Sequence, residues 1–230
     1  METESPGRLL GAGRNADAYD IGGGRVLRRY RDGRDASAVE REARVMAHAR
    51  AHGAPVPEVF EVSGADIVME RADGPTMLDA LGRRPWLVRR QARLLAGLHA
   101  TVHQVPALPE LRAIGDDSLD QQVLLHWDLH PVNVILTASG PMIIDWEGAA
   151  RGPALLDVAM TWIIVSTSEV PDTGLMALAV SGVQSAFARS FAQAAGPLDP
   201  ATRAAAVRYR LMDHNLLPSE RARLERLPHG

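Results

Sequence analysis

The sequence predicts an α+β fold of two lobes: a small N-terminal antiparallel sheet plus helix, then a larger, mainly helical C-terminal lobe. Three observations predict it. Short strand-like segments joined by glycine fill the first third of the chain. From Thr76 onward, apolar residues recur at helical spacing. The composition shifts near residue 74, the one candidate boundary, so the expected units are 1–74 and 75–230. The chain carries no internal repeat and no low-complexity linker.

Taken in order, residues 8–13 (RLLGAG), 16–21 (ADAYDI) and 25–30 (RVLRRY) read as strands, and the glycines at 22–24 mark a hairpin. ASAVEREARVMAHARAHG reads as a helix capped by Asp35 or Ser37 and ended at Gly53. PVPEVFEV and DIVMER supply two more strands, so five strands and one helix make a unit ending near Asp73 and Gly74. PWLVRRQARLLAGLHATVHQV follows, with Pro85 at its start and Leu87, Leu94, Leu95, Leu98 and Val102 close to helical spacing. After an acidic stretch (Asp116, Asp117, Asp120) comes HWDLHPVNVIL, whose apolar end reads as a strand. A turn at Ser139-Gly140-Pro141 leads to a second strand, MIIDWE. From about Ala154 the pattern is three or so helices separated by Pro171, Pro197 and Pro218.

Composition narrows the function classes. The 230 residues are 46% apolar, enough for a substantial core, and the net charge of −3 is mixed in sign. That charge gives no bulk electrostatic reason to bind nucleic acid. With no cysteine, disulfides, thiolate metal sites and a cysteine nucleophile are excluded. METESPGRLL lacks the pattern of a signal peptide, and the apolar run Val158–Val165 is too short to span a bilayer. The expectation is a soluble, cytoplasmic protein without a membrane partner. Nothing in the sequence specifies an oligomeric state. Every basic residue is arginine, so a mechanism that needs lysine must use a fixed, planar, permanently charged fork.

The motifs follow. GAGRNA at 11–16 matches a dinucleotide fingerprint taken alone, but a hairpin follows it where that fingerprint needs a helix. A glycine loop between antiparallel strands can instead lay backbone N–H groups over phosphates, or be an ordinary tight turn. Arg28 on the third strand and Glu42 on the helix can pair as a phosphate-holding cation and its carboxylate, or be two solvated charges; taken alone, the pair favours the second reading. His126-x-Asp128-x-x-x-x-Asn133, with Asp145 after a strand, is more specific. Asp128 on a loop can accept a proton from a hydroxyl, while Asn133 and Asp145 can meet as oxygen ligands suited to Mg²⁺. Asp157 in GPALLDVA can cap backbone N–H groups and brace the loop carrying Asp128. HWDLH also reads as His-x-Asp-x-His, a transition-metal chelate of His126, Asp128 and His130. HxxxH at His48/His52 and His99/His103 has the spacing of a helical metal site but lacks its glutamate, so these read as surface or boundary histidines.

In order, the glycine loop, strand arginine, EREA, MERADG, HxDxxxxN and the aspartate after a strand make the chain resemble the aminoglycoside phosphotransferase and choline kinase-like family, up to about residue 165. HWDLHPVNVIL and IIDWEGAARGPALLDVA carry most of it. The resemblance implies a protein-kinase-like fold, with a nucleotide-binding lobe at 1–74 and a catalytic, substrate-binding helical lobe at 75–230. It implies a phosphotransferase moving the γ-phosphoryl group of ATP or GTP, with Mg²⁺, to a hydroxyl of a small-molecule acceptor. Asp128 would be the catalytic base, and Asn133 and Asp145 the metal ligands. Gly11, Gly13, Arg14 and Asn15 would cover the phosphates, and Arg28 with Glu42 would hold them. Glu70 and Ala72 would meet the adenine through their backbone. His126 and Asp157 would support the site. Two positions depart from the family pattern: Arg28 stands where lysine is usual and Trp127 where glycine is usual. Two other readings remain at this point: a catalytically degenerate kinase-like binding protein, and a metal-dependent hydrolase built on His126, Asp128 and His130.

Overall fold

Glycine turns organise the N-terminal residues. Strands β1 (Arg8–Ala12), β2 (Ala16–Gly22), β3 (Arg25–Tyr30), β4 (Val59–Ser63) and β5 (Asp66–Glu70) form one antiparallel sheet in the order β1-β2-β3-β5-β4. The structure, a computed structural model, describes residues 6–13, 15–31, 35–115, 122–168, 174–213 and 216–226. Between β2 and β3, Gly22, Gly23 and Gly24 have φ of 80°, 60° and 71°, a left-handed path that side chains with a Cβ resist.

Helix α1 (Ala36–Ala51) starts where the Asp35 side chain accepts the Ser37 N–H at 3.0 Å. Its buried residues Val39, Ala43 and Met46 fall at four- and three-residue steps, one apolar stripe, and the helix packs on β4 and β5. Gly53, with φ of 88°, follows the helix end in the left-handed conformation expected there. By their internal contacts, residues 1–74 and 135–147 form one unit, and 75–134 and 148–230 a second. The segment 135–147 carries most of the hairpin β7 (Val134–Thr137) and β8 (Gly140–Ile143). It joins the first unit through the Ile143 N–H, which donates to the Pro55 carbonyl at 2.8 Å.

The second unit is mainly helical. Helix α2 (Met77–Arg83) begins with a reciprocal cap between Thr76 and Asp79. A 3₁₀ turn at Pro85–Leu87 leads into α3 (Val88–Val102). Short strands β6 (Val123–Leu125) and β9 (Ala150–Gly152) pair antiparallel. Helices α4 (Ala154–Thr167), α5 (Gly174–Ala195), α6 (Pro200–Leu211) and α7 (Pro218–Glu225) complete it. The tail therefore holds four described helices where three or so are expected. Pro200 and Pro218 each stand at a first helical turn, starting a helix rather than only separating two. The apolar run at 158–165 lies in α4, which is buried nearly all round and packs on α5 and α6. No helix among the described residues is long and apolar enough to cross a membrane.

A Cβ added at Gly74 would lie 2.1 Å from the Leu136 carbonyl oxygen, a backbone atom with little room to move. Gly74→Ala is expected to destabilise the chain by about 1–3 kcal/mol, read as a lower urea midpoint at an unchanged slope.

Candidate active site

Each unit gathers one cluster of the residues that the sequence singles out. In the first, Arg28 projects from β3 and splits its fork between two carboxylates. Its Nη1 donates to Glu42 Oε1 at 2.8 Å and its Nη2 to Asp145 Oδ1 at 2.6 Å. Glu42 is 3% exposed, which overturns the solvated-surface reading of the pair. It also accepts from the Tyr30 hydroxyl and, at 3.2 Å, from the Trp146 N–H. Four acceptor positions on a carboxylate suit this set of donors. Burial pushes the Glu42 carboxyl up, while Arg28 and Tyr30 pull it the other way. Burial would lower the Arg28 guanidinium, but Glu42 and Asp145 together raise it. Arg28 therefore stays charged, as a group with so high an intrinsic pKa must.

Asp145 sits at φ of 66°, an uncommon backbone for a residue with a Cβ and one that short aspartate tolerates better than most. Its side chain is 41% exposed, and Arg28 engages Oδ1. Next to it, Glu147 accepts both contacts of Asn15 Nδ2, at 3.0 and 3.1 Å. The GAGRNA segment is a turn between antiparallel strands: the Gly13 N–H donates to the Ala16 carbonyl at 2.8 Å, and a Cβ at Gly13 would lie 2.9 Å from that oxygen. The dinucleotide context is thus absent there. Gly11 lies in β1 beside a bulge, and Arg14 falls outside the described residues. Glu70 donates its N–H to the Glu58 carbonyl at 2.7 Å, Arg71 donates to Gly24 at 2.9 Å, and Ala72 follows the end of β5.

In the second unit, Asp157 near the start of α4 is fully buried and organises the loop after β6. Its Oδ1 accepts the Trp127 N–H at 2.8 Å, and its Oδ2 accepts the His126 N–H at 3.2 Å. His103 Nε2 donates to Oδ2 at 3.0 Å. His99, 1% exposed, places Nδ1 at 3.4 Å from the same oxygen. Thr161 spends its hydroxyl hydrogen on the Leu129 carbonyl at 2.6 Å, so its oxygen accepts from His99 Nε2 at 3.0 Å. The expected surface or boundary placement of His99 is therefore corrected: it is a core residue. Burial would raise the Asp157 carboxyl, but the His103 hydrogen bond and the nearby His99 imidazole outweigh it and hold the group far below the usual range.

On this platform Trp127 adopts φ of 68°, a left-handed backbone that glycine takes more readily than a residue with a Cβ. Its ring meets Tyr209 edge-on at 5.5 Å. Asp128 follows with a side chain 43% exposed. Its N–H donates to His126 Nδ1 at 3.3 Å, and His130 Nε2 lies 3.5 Å from its Oδ1. Burial alone would raise the Asp128 carboxyl, but His130, by hydrogen bond and charge, holds it below the usual range. Asn133 Nδ2 donates to the Asp128 carbonyl at 2.8 Å and contacts its carboxylate at 3.2 Å. The amide nitrogen is thereby committed, which leaves Oδ1 as the acceptor for a cation. The Asn133 amide oxygen and the Asp145 carboxylate are each, within its own unit, oxygen donors of the kind a hard divalent ion takes. The ligand atoms of His126, Asp128 and His130 do not converge as a chelate would need. Among the described residues, the three ligand groups that converge within 4.8 Å are His99, His103 and Asp157. Sequence reasoning missed Tyr30, His99, His103, Trp146 and Glu147 as supports. Only Trp146 and Glu147 carry a signal, by lying beside Asp145 in DWE.

The chain matches the family described as "Phosphotransferase enzyme family" over residues 7–118 and 102–206. It is 36% identical over 56 residues to thiamine kinase of Salmonella paratyphi B, a stretch covering 24% of this chain and 20% of that protein. The chain thus spans about a fifth of the length of the curated relatives it matches. It is similar to the amicoumacin kinase hAmiN, solved with AMP-PNP, Ca²⁺ and Ami, at 16% identity and a TM-score of 0.55, covering 95% of this chain and 85% of that one. A thermostable mutant of aminoglycoside phosphotransferase APH(4)-Ia matches at 16% identity and a TM-score of 0.60, covering 94% and 90%. These likenesses establish the protein-kinase-like fold.

Arg28→Ala strands a buried carboxylate and is expected to cost about 3–5 kcal/mol of stability, with Arg28→Lys costing less, as measured by denaturant unfolding. Asp157 contributes stability that is full above the unfolded carboxylate pKa of about 3.9 and is lost as pH falls below it, because its folded pKa is depressed. The stability gap between wild type and Asp157→Asn is expected to be constant from pH 7 to 5 and to shrink below about pH 4. A gap independent of pH down to acid unfolding counts against the brace.

Proposed function

The chain belongs to the phosphotransferase enzyme family, and we propose that it transfers the γ-phosphoryl group of ATP or GTP to a hydroxyl of a small molecule. The observation that carries this reading is the loop after β6. Asp157 holds its backbone, and Asn133 holds Asp128, so one exposed carboxylate is presented in a fixed orientation. Phosphoryl transfer asks a protein chiefly for such positioning and for charge neutralisation. The proteins it is similar to include, by name, a thiamine kinase and an amicoumacin kinase, which supports a small-molecule acceptor.

Asp128 accepts the proton of the acceptor hydroxyl. The acceptor oxygen bonds to the γ-phosphorus, the bond from that phosphorus to the bridging oxygen breaks, and the nucleoside diphosphate leaves with the electron pair. Its depressed pKa keeps Asp128 ionised and able to align the hydroxyl near neutral pH. Asn133 and Asp145 are the residues that would hold Mg²⁺. When bound, a divalent cation neutralises phosphate charge. Arg28 supplies a permanent positive charge in place of a lysine, oriented by Glu42. Residues 11–16 lay backbone over the phosphates, and the backbone of Glu70 and Ala72 meets the base. The neighbour solved with AMP-PNP and Ca²⁺ supports the use of a nucleotide and a divalent ion.

With ATP and Mg²⁺ at about 100 times the dissociation constant, the melting temperature is expected to rise by about 5 to 10 °C. Asp145→Asn should shrink that rise. Asp128→Ala should keep it while lowering turnover by roughly a hundredfold or more in an ADP-release assay. Equal loss of binding and turnover in Asp128→Ala would sink the base assignment.

A further inference from the structure

Within the second unit lies a cavity of about 610 Å³, in the range that holds a small organic molecule. Its walls are α2, the loop residues His130 to Val132, the end of α4 and one face of α5. Leu81, Val132, Ile164, Val183 and Phe187 make most of that wall apolar. Leu78 and Val132, at 52% and 42% exposed, also line it and remain open to solvent.

Several polar groups in the wall are already committed. Gln184 Nε2 donates to the Val165 and Ser168 carbonyls at 2.7 and 3.0 Å. Asp79 caps α2 and is opposite in charge to Arg83 on the same helix. His130 Nδ1 accepts the Val132 N–H at 3.4 Å. A polycationic ligand would find one carboxylate and one opposing guanidinium, whereas an apolar body would displace water from apolar surface. His130 gives the cavity its bearing on the chemistry, because the same imidazole that lines it lies 3.5 Å from Asp128 Oδ1.

We propose that this cavity receives the body of the acceptor, so that the acceptor is an uncharged, largely apolar alcohol whose hydroxyl reaches Asp128. The proposal rests on the phosphotransfer reading above and names the acceptor class within it. The group transferred, the bond broken and the proton accepted are those already given.

The test uses the full chain and defined probes: estradiol and menthol as apolar alcohols, kanamycin and glucose as polar ones. Binding is read by calorimetry without nucleotide, and turnover as alcohol-dependent ADP release. The variants are Val183→Asp, which puts a charge in the wall, and Val183→Phe, which fills it without one. An apolar alcohol should bind and stimulate ADP release. Both variants should weaken its binding by about tenfold or more while ATP hydrolysis without acceptor is unchanged. ADP release with kanamycin or glucose but with neither apolar alcohol overturns the proposal and leaves phosphotransfer standing. Apolar binding that the Val183 variants do not weaken also overturns it. Apolar binding that they do weaken, with no ADP release from any alcohol, overturns the phosphotransfer reading and the acceptor role together.

Discussion

A single buried carboxylate holds the second unit's functional loop. Asp157 binds two consecutive backbone N–H groups, of His126 and Trp127, and two imidazoles reach the same carboxylate from α3. A buried charge is costly unless donors surround it, and here the donors are the groups whose positions matter. Fixing those two N–H groups fixes the left-handed turn at Trp127, and that turn aims Asp128. Backbone in that conformation costs on the order of 1–3 kcal/mol for a residue with a side chain, and it persists because neighbouring bonds over-determine it.

The first unit solves a related problem with an arginine. A lysine ammonium is a point charge, whereas the guanidinium fork holds two carboxylates at once in fixed directions. Arg28 uses that fork to join Glu42, deep in the sheet–helix core, to Asp145, which is more exposed. The pairing with Glu42 is enclosed, so its worth lies in satisfying a charge that α1 has already buried. The pairing with Asp145 occupies one carboxylate oxygen. Tyr30 and Trp146 complete the acceptor capacity of Glu42, which is why that residue tolerates burial.

Much of the architecture was legible from local rules. Glycines 22–24, the Asp35 cap and the Gly53 terminus each act through their own backbone, so the strands and α1 follow from short-range pattern. The tail was less legible, because Pro200 and Pro218 start helices and only packing on α4 shows which apolar runs are separate elements. His99 was misread, and the bond from His103 to Asp157 went unseen, for a similar reason. Their helix is rich in arginine and alanine, and nothing in the i, i+4 spacing reveals that this face meets Asp157, more than 50 residues away.

The sequence by itself determined the order and types of the candidate site residues. HxDxxxxN followed by an aspartate after a strand is a pattern of fixed short spacings, and such spacings survive reading without coordinates. Tertiary structure alone decided which charges are buried and what holds them. Burial of Glu42, the shared fork of Arg28, and the convergence of His99, His103 and Asp157 are long-range facts. Each depends on two distant segments meeting in a low-dielectric core, where an ionic group must find donors or be excluded.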